Sequence, residues 1–111
     1  MSRKNYPRTG SYDEYLMAQL SDPEEARLYL EASLEAYEED NDTAAFLIAL
    51  REVAEAQGGV AKLANRTGLN RQYLYGVLSG EGSKPGLDNM LHILSGLGFR
   101  LRLENNTQRE S

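Results

Sequence analysis

Apolar positions recur along most of this chain at the three-to-four-residue spacing of amphipathic helices, and only once, near the C-terminus, at a spacing of two. Residues 1–10 have neither period. They mix Arg3, Lys4 and Arg8 with Asn, Pro and Gly, and are expected to be mobile or ordered by a partner. Ser11 to Glu14 reads as a capping box, from which Tyr12, Tyr15, Leu16 and Leu20 give a short amphipathic helix. Asp22-Pro23-Glu24-Glu25 is a stronger start: a cap, a proline at the first helical position, and carboxylates at the positive helix end. The spacing predicts that this second helix runs to about Glu39 and buries Ala26, Tyr29, Leu30, Leu34 and Tyr37. Asp40-Asn41-Asp42 breaks the pattern and caps a third helix from Thr43 to about Gln57. Its expected stripe is Ala45, Ile48, Ala49, Val53 and Ala56, with Phe46 and Leu50 beside it, and Gly58-Gly59 ends it.

Residues 60–80 hold the most informative pattern. Val60, Leu63, Ala64 and Thr67 share one helical face, and Gly68 follows where a sharp turn needs positive φ. Asn70 then caps a second short helix that buries Leu74, Val77 and Leu78. A small residue four before a glycine, between two short amphipathic helices, is how a helix-turn-helix reads in sequence. Burying that face turns Asn70, Arg71, Gln72, Tyr73 and Tyr75 outward. Arginine suits guanine edges, and glutamine or asparagine suits adenine, because each can bond bidentately in the major groove. An ordinary αα-hairpin with a solvated polar face fits the same pattern.

Residues 79–86 form a glycine-rich loop. Because it follows a helix rather than a strand, its Gly-x-Gly is no phosphate fingerprint, although Lys84 and the backbone amides could meet phosphate near the second helix. Leu87, Met90, Leu91, Leu94 and Leu97 line a further helix, stopped by Gly96 and Gly98. From Phe99 to Glu104 the period becomes two, with Phe99, Leu101 and Leu103 facing one way and Arg100, Arg102 and Glu104 the other. That alternation predicts a half-buried strand. No other segment resembles its pairing partner, so the expected solution is pairing with the same strand of a second copy in a symmetric dimer. Addition to a partner protein's sheet is the alternative. The remaining residues, 105–111, form a polar tail.

Charge sharpens the division. Residues 1–57 carry five Lys/Arg and thirteen Asp/Glu, a net −8, whereas residues 58–111 carry seven and four, a net +3. A basic half holding the helix-turn-helix suits phosphate contact, and an acidic half suits a basic partner or simply solvates well. Five of the seven tyrosines precede residue 40, which fits either a partner surface or core-edge packing. With 111 residues there is material for one modest core. The absence of cysteine excludes disulfides and thiolate metal sites. No stretch reaches membrane-spanning length and the N-terminus has no signal-peptide core, so a cytoplasmic location is expected. The single histidine, His92, has no visible partners for catalysis or metal binding, and neither an enzymatic activity nor a cofactor is expected.

Four blocks in order give the chain a resemblance, from about Tyr12 to Leu103, to addiction-module antidote proteins, HigA-type helix-turn-helix antitoxins with a lambda-repressor-like domain. Residues 20–35 (LSDPEEARLYLEASLE) look like the family's N-terminal helix, and residues 67–75 (TGLNRQYLY) like its turn and recognition helix. Residues 78–82 (LSGEG) and 94–101 (LSGLGFRL) look like its loop and closing segment. The resemblance implies a homodimer that represses its own operon and neutralises a small basic toxin, typically a RelE-like ribonuclease. DNA contact would then fall on Asn70, Arg71, Gln72, Tyr73 and Tyr75, with Lys62, Arg66 and Lys84 near phosphates. Toxin contact would fall on the acidic half, where the candidates are Tyr12, Tyr15, Tyr29 and Tyr37. Gly76 departs from the pattern, standing where many relatives carry a basic residue.

The expectation is therefore an all-α, lambda-repressor-like bundle with an N-terminal helical extension and one short C-terminal strand. Residues 1–40 would bind the partner, residues 41–104 would bind DNA, and residues 105–111 would be the tail. Two recognition helices would enter major grooves about 34 Å apart on a palindromic site. A stand-alone regulator without a toxin and an interaction-only antidote with weak DNA binding are the alternatives.

Overall fold

Acidic side chains and one asparagine start most of the helices. In the computed structural model, which describes residues 13–107, Asp13 accepts the Tyr15 N–H at 2.9 Å and opens α1 (Glu14–Leu20). Asp22 accepts the Glu25 N–H at 2.9 Å and opens α2 (Pro23–Asp40), with proline at the first turn. Asp42 accepts the Ala45 N–H at 3.1 Å and opens α3 (Thr43–Ala56). A carboxylate at these positions meets an orphan donor and the positive end of the helix dipole together. The cap of α1 is Asp13; Ser11 of the expected capping box and Tyr12 lie outside the described residues, as do residues 1–10.

Helices α4 (Val60–Thr67), α5 (Arg71–Leu78) and α6 (Leu87–Gly96) complete the order. Asn41 takes the left-handed conformation at φ 58° and donates its N–H to the Tyr37 carbonyl at 2.7 Å, so α2 reverses directly into α3. One core cluster, from Leu16 to Leu97, draws on all six helices. The core runs through residue 40, because α1 and α2 both pack on α3.

Helix α3 buries Phe46, Leu47, Ala49, Leu50, Val53 and Ala54. The expected stripe was partly misplaced: Ala45 is exposed, Ile48 is 42% exposed and Ala56 is half-buried. Packing explains the difference. The helix meets α1 and α2 as well as α4 and α5, so two flanks are covered, and a nearly all-apolar helix does not choose its face by period alone.

The phase of α6 also differs from expectation. Ile93, Leu94 and Leu97 are buried and Met90 is half-buried, but Leu87 is 71% exposed and Leu91 40%. Gly96 sets this rotation. A Cβ there would lie 2.5 Å from Thr67 Cγ2 and 2.7 Å from Leu63 Cδ1, so α4 and α6 meet at the glycine and turn Ile93 and Leu97 inward with it.

After α6 the Phe99 N–H bonds the Leu94 carbonyl at 2.9 Å, with Gly98 at φ 97°, and closes the helix end. Residues 99–104 do not form the expected strand, and no strand occurs among the described residues. A ladder needs a second extended segment, and the described chain is otherwise helical. Phe99 packs against the core while residues 100–104 are exposed.

Candidate nucleic-acid interface

Short-range hydrogen bonds hold α4 and α5 at a fixed crossing. Thr67 Oγ1 donates to the Leu63 carbonyl at 3.0 Å and accepts the Leu69 N–H at 3.1 Å. Gly68, at φ 77°, donates its N–H to the Ala64 carbonyl at 2.9 Å. Only a residue without Cβ takes that conformation at little cost. Asn70 Oδ1 then accepts the Tyr73 N–H at 3.0 Å, which starts α5. Inside the crossing, Val60, Leu63 and Ala64 meet the core from α4, and Leu74, Val77 and Leu78 from α5.

With that face covered, Asn70, Arg71 and Gln72 are exposed on the first turn of α5, and Tyr75 is 41% exposed on the second. Asn70 offers an outside ligand its amide nitrogen, while its oxygen already serves as the helix cap. Tyr73 differs from the outward orientation read in the sequence. It is half-buried against the core, and its hydroxyl accepts from Asn89 Nδ2 at 2.8 Å, tying α5 to α6. The reason is its position: Tyr73 stands next to Leu74, at the edge of the stripe that continues through Val77.

The three flanking cations are exposed but differently placed. Arg66 Nη1 donates to Gln57 Oε1 at 3.1 Å and to the Gly96 carbonyl at 3.3 Å, which holds it near the ends of α3 and α6. The aliphatic stem of Lys62 lies over Gly58, where a Cβ would come within 2.8 Å of its Cδ. Lys84 is in the loop that follows α5. That loop packs tightly on the helix: a Cβ on Gly82 would lie 2.9 Å from the Gly76 carbonyl oxygen, to which Ser79 Oγ also donates at 2.7 Å.

The four tyrosines read as partner contacts do not converge. Tyr12 lies outside the described residues. Tyr15 is 65% exposed on α1 and Tyr37 36% exposed on α2, whereas Tyr29 is half-buried and its hydroxyl donates to the Glu52 carboxylate of α3. Sequence reasoning missed a groove between α2 and residues 99–104, lined by Leu30, Leu34, Leu94 and Phe99. The signal was divided between a helical period and a strand-like alternation sixty residues apart, and only the fold joins them. On α2 itself, Arg27 bonds Glu24 at 2.6 Å and Glu31 at 3.1 Å, and the hydrogen bond from Arg27 holds the Glu24 carboxyl below the usual range.

Among the described residues, no group of three or more His, Cys, Asp or Glu side chains is placed to hold a metal, and no helix is long and apolar enough to cross a membrane. His92 is exposed on α6.

No curated protein and no solved structure matches the chain. A family model does, described as probable addiction module antidote protein and matching residues 11–105, which takes in all six helices, the α4–α5 crossing and the closing segment. The chain belongs to the addiction module antidote family, and with that membership go an antitoxin role and a toxin partner.

Proposed function

We propose that this antidote is a non-enzymatic, cytoplasmic type II antitoxin of the HigA type. It acts as a homodimer that binds its own operator through α5 and neutralises a small basic RelE-like ribonuclease by direct contact. The observation that carries the DNA-binding part is the exposed first turn of α5. Arg71 and Gln72 stand free of the core on a helix whose start is fixed by Thr67, Gly68 and Asn70. Such a helix can enter a major groove end-on, with Arg71 and Gln72 choosing bases and Lys62, Arg66 and Lys84 supplying phosphate contacts.

Fluorescence anisotropy tests this reading, using a duplex from just upstream of the protein's own gene and a scrambled duplex at two salt concentrations. Arg71→Ala is expected to cost roughly 1–3 kcal/mol on the cognate duplex and much less on the scrambled one. Equal losses on both would refute base reading. A second reading, an antidote whose helix-turn-helix serves mainly as scaffold, draws support from Gly76. This glycine occupies the middle of α5, where a side chain would have open space, so the helix presents no side-chain group to a duplex at that position. That reading expects weak DNA binding that is indifferent to sequence.

A further inference from the structure

The groove between α2 and residues 99–104 measures about 750 Å³ and is open to solvent. Its floor is apolar, made by buried Leu30 and Leu94 and half-buried Leu34 and Phe99. One wall is the α2 face on which Glu31, Glu35 and Glu38 follow at i, i+4 and i+7. The opposite wall is the extended segment after α6, which carries exposed Arg100 and Arg102 and ends in Glu104. Glu31 is taken by Arg27 at 3.1 Å, but Glu35, Glu38, Arg100 and Arg102 enter no ion pair among the described residues. Between the two arginines Leu101 is 47% exposed, and Leu103 beyond them is 100% exposed.

An acidic strip and a basic strip on opposite sides of an apolar floor become complementary to themselves after half a turn. A foreign basic protein would satisfy Glu35 and Glu38 but meet like charge at Arg100 and Arg102; an acidic one would do the reverse. We propose that this face is the interface between two copies of the chain. Each copy lays residues 100–104 across the other's groove, so that Arg100 and Arg102 of one meet Glu35 and Glu38 of the other. Leu101 and Leu103 leave water in the process, which drives association, while the charges fix the register. The contact is made by side chains and needs no strand ladder. It rests on the homodimeric reading above and gives that dimer a surface.

Two charge-reversed chains test it: Glu35→Arg with Glu38→Arg, and Arg100→Glu with Arg102→Glu. All four positions are exposed, so the fold is expected to survive, which circular dichroism checks. By sedimentation velocity each variant alone should dissociate at least about tenfold more readily than the unmodified chain. An equimolar mixture should regain the dimer, because the two heterologous strips now match at both ends. Mixing could not restore a contact made within one chain. A third variant, Leu103→Asp, alters a fully exposed residue and should weaken the dimer without lowering the stability of the monomer. If the unmodified chain is a monomer, the dimeric reading fails and this one with it. If it is a dimer that the reversals leave intact, or the mixture does not recover, only this surface is overturned.

Discussion

The α4–α5 hairpin and the arm made of α6 and residues 97–104 are neighbours in the chain, yet different physics sets each. In the hairpin the geometry is written over a few residues: Thr67 Oγ1, the left-handed Gly68 and the Asn70 cap bond groups no more than four residues away. In the arm the decisive contact is long-range, since Gly96 admits Leu63 and Thr67 from thirty residues earlier. A helix positioned by its own caps keeps its phase whatever packs beside it. One positioned by a missing side chain keeps its phase only while that gap stays open.

Changes on either side of this gap should therefore have the largest effects. Gly96→Val puts a Cβ and two methyls where 2.5 Å and 2.7 Å contacts already forbid the first atom, and overpacking of this kind costs about 1–3 kcal/mol. Leu63 is 1% exposed, and Leu63→Ala alone is expected to cost roughly 2–5 kcal/mol through the cavity it leaves. The two should not add. Shortening Leu63 removes the 2.7 Å clash and leaves the 2.5 Å one with Thr67, so Gly96→Val is relieved in part, and a double-mutant cycle by urea unfolding should return a favourable coupling of at least about 0.5 kcal/mol. Strict additivity would mean that the glycine does not set the phase of α6.

The same contrast decides how much was legible in the sequence. Val60, Leu63, Ala64, Leu74, Val77 and Leu78 were readable as core because local signals on both sides pinned each short helix. Arg71, Gln72 and Tyr75 followed as the exposed remainder. Tyr73 did not, because its place depends on Asn89 across a tertiary contact. Leu87 and Leu91 fit a helical stripe as well as Ile93 does, and only Gly96 distinguishes the two faces. Residues 99–104 alternate as a strand would, but the period reports which side chains share a face and says nothing about the availability of a ladder partner. The groove against α2 was illegible for a related reason: its two charged strips lie in separate elements, each resembling an ordinary solvated face.

A smaller effect should come from the hairpin's own punctuation. Asn70→Ala removes the acceptor for the Tyr73 N–H and should destabilise the chain by about 1 kcal/mol. Asn70→Asp should recover most of the loss, because an aspartate also caps. Thermal melts followed by circular dichroism would check the order, and an alanine variant as stable as the parent would show that the crossing, rather than the cap, starts α5. DNA affinity separates the roles further: Asn70→Asp keeps the cap but loses the amide nitrogen and adds negative charge, so it should weaken operator binding without a matching loss of stability.

The smallest change sits in the middle of the recognition helix. Gly76 is helical and exposed, and nothing lies within 4 Å of a Cβ built on it, so Gly76→Ala should stabilise the chain by roughly 0.5–1 kcal/mol through helix propensity and a less disordered unfolded state. Gly82→Ala is the control. Its Cβ would lie 2.9 Å from the Gly76 carbonyl oxygen, so the same chemical change six residues later should destabilise. Anisotropy on the operator duplex then gives the first substitution its meaning. If Gly76→Ala raises the melting temperature and leaves DNA binding intact, the glycine is a stability cost that neither packing nor recognition requires. If stability rises while affinity falls, the bare backbone of α5 comes close to the duplex at Gly76, and the glycine is kept for that approach.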